Sequence, residues 1–333
     1  MKITFLGSGA WGTALAYALS KKDDTDILMY GRSESEIDDI NNNHRNSRYF
    51  DDVILPNVIK GTTDPDIALK GRDVLVLSVP SKAIPDIVTL ISKHCDNSPL
   101  LINVIKGFDP LTGEGITSLI KGSLGKDGLV SGIVSLVGPS FAYDVIHDDL
   151  TAVCAVSESK ENAVFVQKLF SSDCFRVYVQ EDVVGAEIGA GMKNIIAIAS
   201  GIMEGLGYKD NTRAALITRG LAEITRFGLA RGAKEETFLG LTGVGDLMLT
   251  CSSYRSRNYS LGLEIGKEND AINVLLRNEK TVEGVIAAKT IYATSKKIGV
   301  DTPIVDAVYH VLYEGAKPSD EVHKLMLRQL KAE

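Results

Sequence analysis

The chain opens on a short apolar run, Ile3-Thr4-Phe5-Leu6, that leads directly into Gly7-Ser8-Gly9-Ala10-Trp11-Gly12. Behind it comes Thr13-Ala14-Leu15-Ala16-Tyr17-Ala18-Leu19, a run of good helix formers. A G-x-G-x-x-G pattern says little alone, but between a strand and a helix it specifies the first turn of a dinucleotide-binding βαβ unit. Gly7 permits the tight turn, Gly9 lets the main chain approach a pyrophosphate, and Gly12 lets helix and strand pack closely. The helix start then offers N–H groups and the positive end of its dipole to phosphates.

The rest of the chain extends that unit and then departs from it. Apolar runs recur at Ile27–Tyr30, Val74–Val79, Leu100–Ile105, Ile133–Val137, Ala152–Val156 and Phe175–Val179, separated by helical patterns and turn residues. This alternation predicts a mostly parallel sheet flanked by helices. From Val183 onward the strand signal stops, and helical patterns follow at Val183–Leu206, Thr212–Arg231, Tyr259–Lys267, Glu283–Lys297, Ile304–Tyr313 and Ser319–Leu330. The 333 residues suffice for two cores. The expected architecture is an α/β, Rossmann-type domain over 1–182 followed by an all-helical C-terminal domain over 183–333. An active site is expected in the cleft between them, the recurrent dehydrogenase plan.

Charge and cysteine usage exclude other classes. A net charge of −7 argues against a nucleic-acid partner, although local basic clusters can still hold a small anion. The four cysteines show no C-x-x-C spacing, so they read as free thiols in a reducing compartment, with neither a disulfide frame nor a metal site. No apolar stretch is expected to reach membrane-spanning length, no membrane insertion is expected, and because Met1-Lys2 runs straight into the first strand no signal peptide is expected. The expected compartment is the cytoplasm.

Candidate ligand residues cluster at strand ends and on two helical segments. Where an NAD-specific fold carries Asp or Glu after its second strand, this chain reads Tyr30-Gly31-Arg32-Ser33. A guanidinium can stack on adenine and meet a 2′-phosphate, and Ser33 can add a hydrogen bond, so NADP is tolerated or preferred beside NAD; Glu34 and Glu36 argue the other way. Lys106, in Asn103-Val104-Ile105-Lys106-Gly107, follows a buried strand and is expected to point into the ligand crevice. Gly138-Pro139-Ser140-Phe141-Ala142 ends another strand, with Pro139 suited to the first position of a helix. Gly185, Gly189, Lys193, Ala197 and Gly201 form one stripe at i, i+4 spacing in which Lys193 is the only large residue, with Asn194 beside it. Gly243-Val244-Gly245-Asp246-Leu247 and Thr250 precede Arg255-Ser256-Arg257-Asn258, a compact donor cluster suited to a phosphate.

Taken in order, GSGAWGTALA, NVIKG, GPSFA, GAGMKN, GVGDLMLTC, RSRN and VEG resemble the bacterial-type NAD(P)-dependent glycerol-3-phosphate dehydrogenases over nearly the whole chain. The resemblance implies that Lys193 exchanges the proton. It makes Lys106, Gly138, Ser140, Asp246, Ser256, Arg257 and Asn258 substrate contacts. Ala10, Trp11, Arg32, Lys106, Ala142, Arg257 and Glu283, with the main chain near Thr281, become cofactor contacts. It also implies a supply of glycerol 3-phosphate for phospholipid synthesis. Tyr143-Asp144 and Val244 depart from the family pattern without removing a chemical group.

The chemistry then follows from the groups. Reducing the ketone of dihydroxyacetone phosphate loads negative charge on its oxygen, which protonated Lys193 can stabilise and protonate. Asp246 and Asn194, with Thr250, orient the lysine or the substrate hydroxyl, and Arg255–Asn258 anchors the phosphate. The competing readings are a two-domain hydroxy-acid dehydrogenase, an enzyme using Cys251 as a nucleophile, and a non-enzymatic dinucleotide sensor. None of the five histidines lies in a motif; His147 comes nearest. The helical half carries enough apolar surface for a homodimer.

Overall fold

The computed structural model describes residues 1–109, 112–125 and 128–330. Its chain divides into two compact units: Met1–Ile105 with Ile116–Val183, and Lys106–Gly115 with Val184–Glu333. The expected domain over 1–182 is therefore interrupted. Residues 106–115 leave the sheet unit and join the helices, because Phe108 is buried in the helical core. Gly191 makes room for that ring: a Cβ there would lie 2.2 Å from Phe108 Cε2.

The sheet unit carries eight strands in the order β3-β2-β1-β4-β5-β6-β7-β8. They are β1 (Lys2–Leu6), β2 (Asp26–Tyr30), β3 (Ile59–Thr62), β4 (Val74–Leu77), β5 (Leu100–Asn103), β6 (Gly132–Val137), β7 (Thr151–Val156) and β8 (Phe175–Gln180). All neighbours run parallel except β6 and β7, which are antiparallel. Leu6 stands in register with Tyr30 on one side and Leu77 on the other, so the chain order reverses at β1. That reversal is the switch point at which such sheets bind nucleotides. Residue alternation covers both faces: Ile3, Phe5, Val74 and Val76 enter one core, and Leu6, Leu75 and Leu77 the other. β3 was not expected, because Ile59-Lys60-Gly61-Thr62 is an edge strand in which only Ile59 is buried, so it lacks an apolar run.

The helical unit is built on Val183–Gly205, a 23-residue helix in which nearly every residue from Gly185 to Met203 is buried. By length and composition it could cross a membrane, with a mean hydropathy of 1.3 over its apolar window, of which 89% is buried inside the protein. The expectation that no stretch reaches spanning length is thus corrected. This helix is apolar all round because other helices surround it. Those helices are Asp210–Ala230, Arg257–Glu268, Glu283–Ile298, Pro303–Tyr313 and Pro318–Met326, with shorter turns at Glu235–Phe238, Asp246–Cys251 and Ala271–Arg277.

Candidate active site

The glycine turn follows β1 as its pattern predicts. Gly7 sits at φ +119°, a conformation that disfavours any side chain, and a Cβ there would lie 2.6 Å from Ser78 O. Gly12 is equally hemmed in, since a Cβ there would lie 2.5 Å from Ser78 Oγ and 2.7 Å from Gly7 O. Ser78, just past β4, donates to Gly7 O at 3.0 Å. Asn46 braces the other side, donating to Ser8 O at 2.8 Å and to Thr13 Oγ1 at 2.9 Å. A Cβ on Gly9 would meet nothing within 4 Å, and no side chain caps the Ala10–Leu19 helix that starts there. Trp11 Nε1 and Asn46 Oδ1 are buried without a hydrogen-bond partner, leaving two polar groups around the turn unsatisfied. A main chain open at Gly9, an uncapped helix start and the unpaired Trp11 Nε1–H donor fit a dinucleotide's pyrophosphate, which offers only acceptors.

Other sequence-predicted residues lie at neighbouring positions of the same unit. Arg32 is exposed immediately after β2. Ser33 caps the Glu34–Asp38 helix by accepting Glu36 N–H, which leaves its hydroxyl proton to donate. Glu36 in turn accepts Ser8 Oγ at 2.9 Å and pairs with Arg48. Gly138 is required by the fold, since a Cβ would lie 2.9 Å from Val153 Cα on β7. Ser140 donates to Gly138 O at 3.1 Å. Pro139 is not the first helical residue; the helix there is Ala142–Ile146, capped at Phe141. Ala142 packs on the same core as Ala10 and Trp11.

In the helical unit, the small-residue stripe explains how a lysine comes to be buried. A Cβ on Gly189 would lie 2.3 Å from Thr242 O, and one on Gly201 2.1 Å from Tyr259 O. Main chain from two later segments therefore lies against the helix on either side of Lys193. Lys193 is 4% exposed, pairs with Asp246 Oδ1 and donates to Thr250 Oγ1 at 2.9 Å. Thr250 donates its own proton to Asp246 O at 2.6 Å, which leaves its oxygen free to accept. Lys106 reaches the other oxygen of Asp246 at 3.0 Å. Burial lowers the Lys193 pKa, Asp246 resists, and the like charge of Lys106 adds to the depression, giving a value of about 7. Burial also acts to raise Asp246, but the charges of Lys106 and Lys193 outweigh it and hold the carboxyl below its usual range. An ammonium has three donors; two are used here, and one remains for a substrate oxygen.

The Arg255–Asn258 cluster is only partly what its composition suggested. Arg255 and Arg257 are exposed. Ser256 is buried and caps the Arg257–Glu268 helix, accepting Tyr259 N–H. Asn258 is also buried: it donates to Asn194 Oδ1 at 2.9 Å and accepts Gly284 N–H at 2.8 Å. Asn258 thus ties Asn194 to the start of the Glu283–Ile298 helix instead of presenting its whole amide to a ligand. Thr281 is half-buried two residues before Glu283. Glu283 lies beside Gly107, whose Cβ would sit 3.5 Å from Glu283 Oε2. The unit therefore joins Lys106, Asp246, Lys193 and Thr250 in one hydrogen-bonded network, with the Asn194–Asn258 bridge adjoining Lys193 along the helix and Glu283 beside Gly107. Burial raises the Cys251 thiol far above neutrality, which removes it as a nucleophile. His147 is occupied by Asp52 and the Tyr143 carbonyl.

Residues 2–163 match the family described as NAD-dependent glycerol-3-phosphate dehydrogenase N-terminus, and residues 182–323 match its C-terminus. The chain belongs to the NAD-dependent glycerol-3-phosphate dehydrogenase family. A curated relative from Bacillus pumilus, named glycerol-3-phosphate dehydrogenase [NAD(P)+], is 45% identical over 98% of this chain and 94% of its own length. One of the same name from Enterococcus faecalis is 41% identical over 100% and 97%. The crystal structure of glycerol-3-phosphate dehydrogenase from Coxiella burnetii superposes with a TM-score of 0.90 at 31% identity, covering 98% of this chain and 99% of that one. Against this family background, the residues that sequence reading missed are Asn46 and Ser78. Both are polar residues outside any motif, brought to the glycine turn only by folding.

Proposed function

We propose that this chain reduces dihydroxyacetone phosphate to sn-glycerol 3-phosphate with NADH or NADPH, reversibly, with Lys193 as general acid in reduction and general base in oxidation. Gly7, Gly9, Ala10, Trp11 and Gly12 would hold the pyrophosphate, Arg32 the adenosine end, and Ala142, Lys106, Arg257, Thr281 and Glu283 would complete the cofactor contacts. When bound, the nicotinamide supplies the hydride with its electron pair. Lys193 donates its proton to the ketone oxygen as charge develops there, so ketone, hydride and proton sum to the alcohol. Asp246 and Thr250 keep the amine aimed as it passes from ammonium to neutral, and Lys106 keeps Asp246 paired throughout. Asn194 is held by Asn258 and orients the substrate hydroxyl. Gly138, Ser140, Ser256 and the exposed arginines Arg255 and Arg257 would receive the substrate, the arginines at its phosphate.

The observation that carries this reading is a buried lysine held by Asp246 and Thr250 with Lys106 on the far carboxylate oxygen, an environment whose desolvation draws the amine down to about 7. An ordinary lysine, near 10.4, would be slow to take a proton back at neutral pH. Arg32 supports use of NADPH beside NADH. The free cysteines support a cytoplasmic location, and a role in phospholipid precursor supply and a homodimeric state go with the family assignment. The test is oxidation of NADH and of NADPH on adding dihydroxyacetone phosphate, repeated with Arg257→Ala. The expected result is turnover by the wild type and a sharp rise in the KM for the phosphorylated ketone in the variant, with activity on dihydroxyacetone left at its low baseline. Absence of wild-type turnover overturns the assignment.

A further inference from the structure

One carboxylate holds the arginine segment from both flanks. Glu204, near the C-terminal end of the Val183–Gly205 helix, accepts the Tyr254 hydroxyl at Oε1 and the Tyr259 hydroxyl at Oε2. Arg213, on the next helix, donates Nη1 to Oε2 at 3.0 Å. Tyr254 precedes Arg255 and Tyr259 follows Asn258, so the two phenols bracket the four residues. The rings also meet edge to face, 5.5 Å apart. Tyr259 is 1% exposed, whereas Tyr254 is 66% exposed and still turned onto Glu204.

We propose that Glu204, Tyr254 and Tyr259 form a clamp that fixes the Arg255–Asn258 segment in its phosphate-receiving position, which makes Glu204 a positioning residue for substrate recognition. The proposal rests on the assignment of this segment to the substrate phosphate.

The segment has two anchors on one helix. Asn258 meets Asn194, next to the proton-exchanging lysine, while the two tyrosines meet Glu204 roughly three turns further on. With both in place the arginines are ordered before the substrate arrives. Without the second, binding must order them, which weakens binding and leaves the proton transfer at Lys193 unaffected. The Tyr254 and then the Tyr259 hydrogen bonds hold the Glu204 carboxyl below its usual range, so it is ionised at neutral pH and the bonds are charge-assisted. Burial, with help from Glu204, pushes Tyr259 up to about 12, so both phenols remain donors.

The test uses full-length Tyr254→Phe, Tyr259→Phe, the double variant and Glu204→Gln, with Arg257→Ala as reference. The readouts are KM and kcat for dihydroxyacetone phosphate, KM for NADH, and amide exchange across residues 252–258. Loss of both hydroxyls is expected to raise the KM for dihydroxyacetone phosphate about tenfold, and Tyr254→Phe alone about threefold. kcat stays within about twofold, the KM for NADH rises less than that for dihydroxyacetone phosphate because Arg257 alone of the four residues is also a cofactor contact, exchange of the segment accelerates, and Glu204→Gln, which keeps an acceptor, falls between. If Tyr259→Phe does not fold, the exposed Tyr254→Phe and Glu204→Gln carry the test. A substrate KM unchanged in the tyrosine variants but raised in Arg257→Ala overturns the clamp and leaves the phosphate assignment standing. An unchanged KM in Arg257→Ala overturns both. Equal rises in both KM values mean a general loss of structure and also overturn the clamp.

Discussion

The sheet unit and the helical unit build their sites from different material. The glycine turn is six consecutive residues, Gly7–Gly12, and its function lies in main chain that side chains would obstruct. The lysine site draws on residues 106, 193, 246 and 250, with the bridge of Asn194 and Asn258 and the start of the Glu283–Ile298 helix adjoining it, and its function lies in what burial does to one amine. A main-chain site is written locally and is damaged by adding atoms. A side-chain site is written across the chain and is damaged by removing them.

The largest expected effect lies in the helical unit. Lys193→Ala removes the proton donor and its charge, and turnover is expected to fall at least about a thousandfold. Asp246 keeps Lys106 as a partner in that variant, so the fold survives, and NADH affinity by fluorescence titration changes little. Turnover within about tenfold of wild type would remove Lys193 from its role.

Next comes the opposite kind of change in the sheet unit. Gly12→Ala adds one methyl between Ser78 Oγ and Gly7 O. Overpacking of this kind costs about 1–3 kcal/mol, and where the turn shifts to relieve it NADH binding is expected to weaken by about fivefold to 150-fold. Titration would show it, and undiminished binding would mean that the turn is not a main-chain site.

The smallest effect concerns a side chain at the edge of that site. Arg32→Ala is expected to raise the KM for NADPH about tenfold more than that for NADH, since only NADPH offers a 2′-phosphate. Equal rises would assign Arg32 to adenine stacking.

The same contrast governs what could be read from the residues. The strand–turn–helix at the start, the two-part architecture and the family motifs were legible because each is periodic or contiguous. β3 escaped because Lys60 and Gly61 break its apolar pattern at a sheet edge. The departure of residues 106–115 escaped because Phe108 finds its pocket only against Gly191, far along the chain. Ser33, Ser256 and Asn258 are expected from their donors to contact ligands, and composition does not reveal that folding also uses them as two helix caps and a bridge. Pro139 carried a helix-start signal that the chain answers later, at Ala142. Glu204 gave no signal, because nothing local distinguishes a surface glutamate from one that two distant tyrosines will seek.

The pH dependence of the wild-type enzyme in both directions tests most directly whether the fold tunes Lys193 to neutrality. A lysine lowered to about 7 is protonated below that pH and neutral above it. Reduction of dihydroxyacetone phosphate should therefore decline as pH rises through about 7, and oxidation of glycerol 3-phosphate should rise through the same point, with kcat/KM reporting the free enzyme. Reduction that stays level through neutrality and declines only near the ordinary lysine value of about 10.4 would contradict the account.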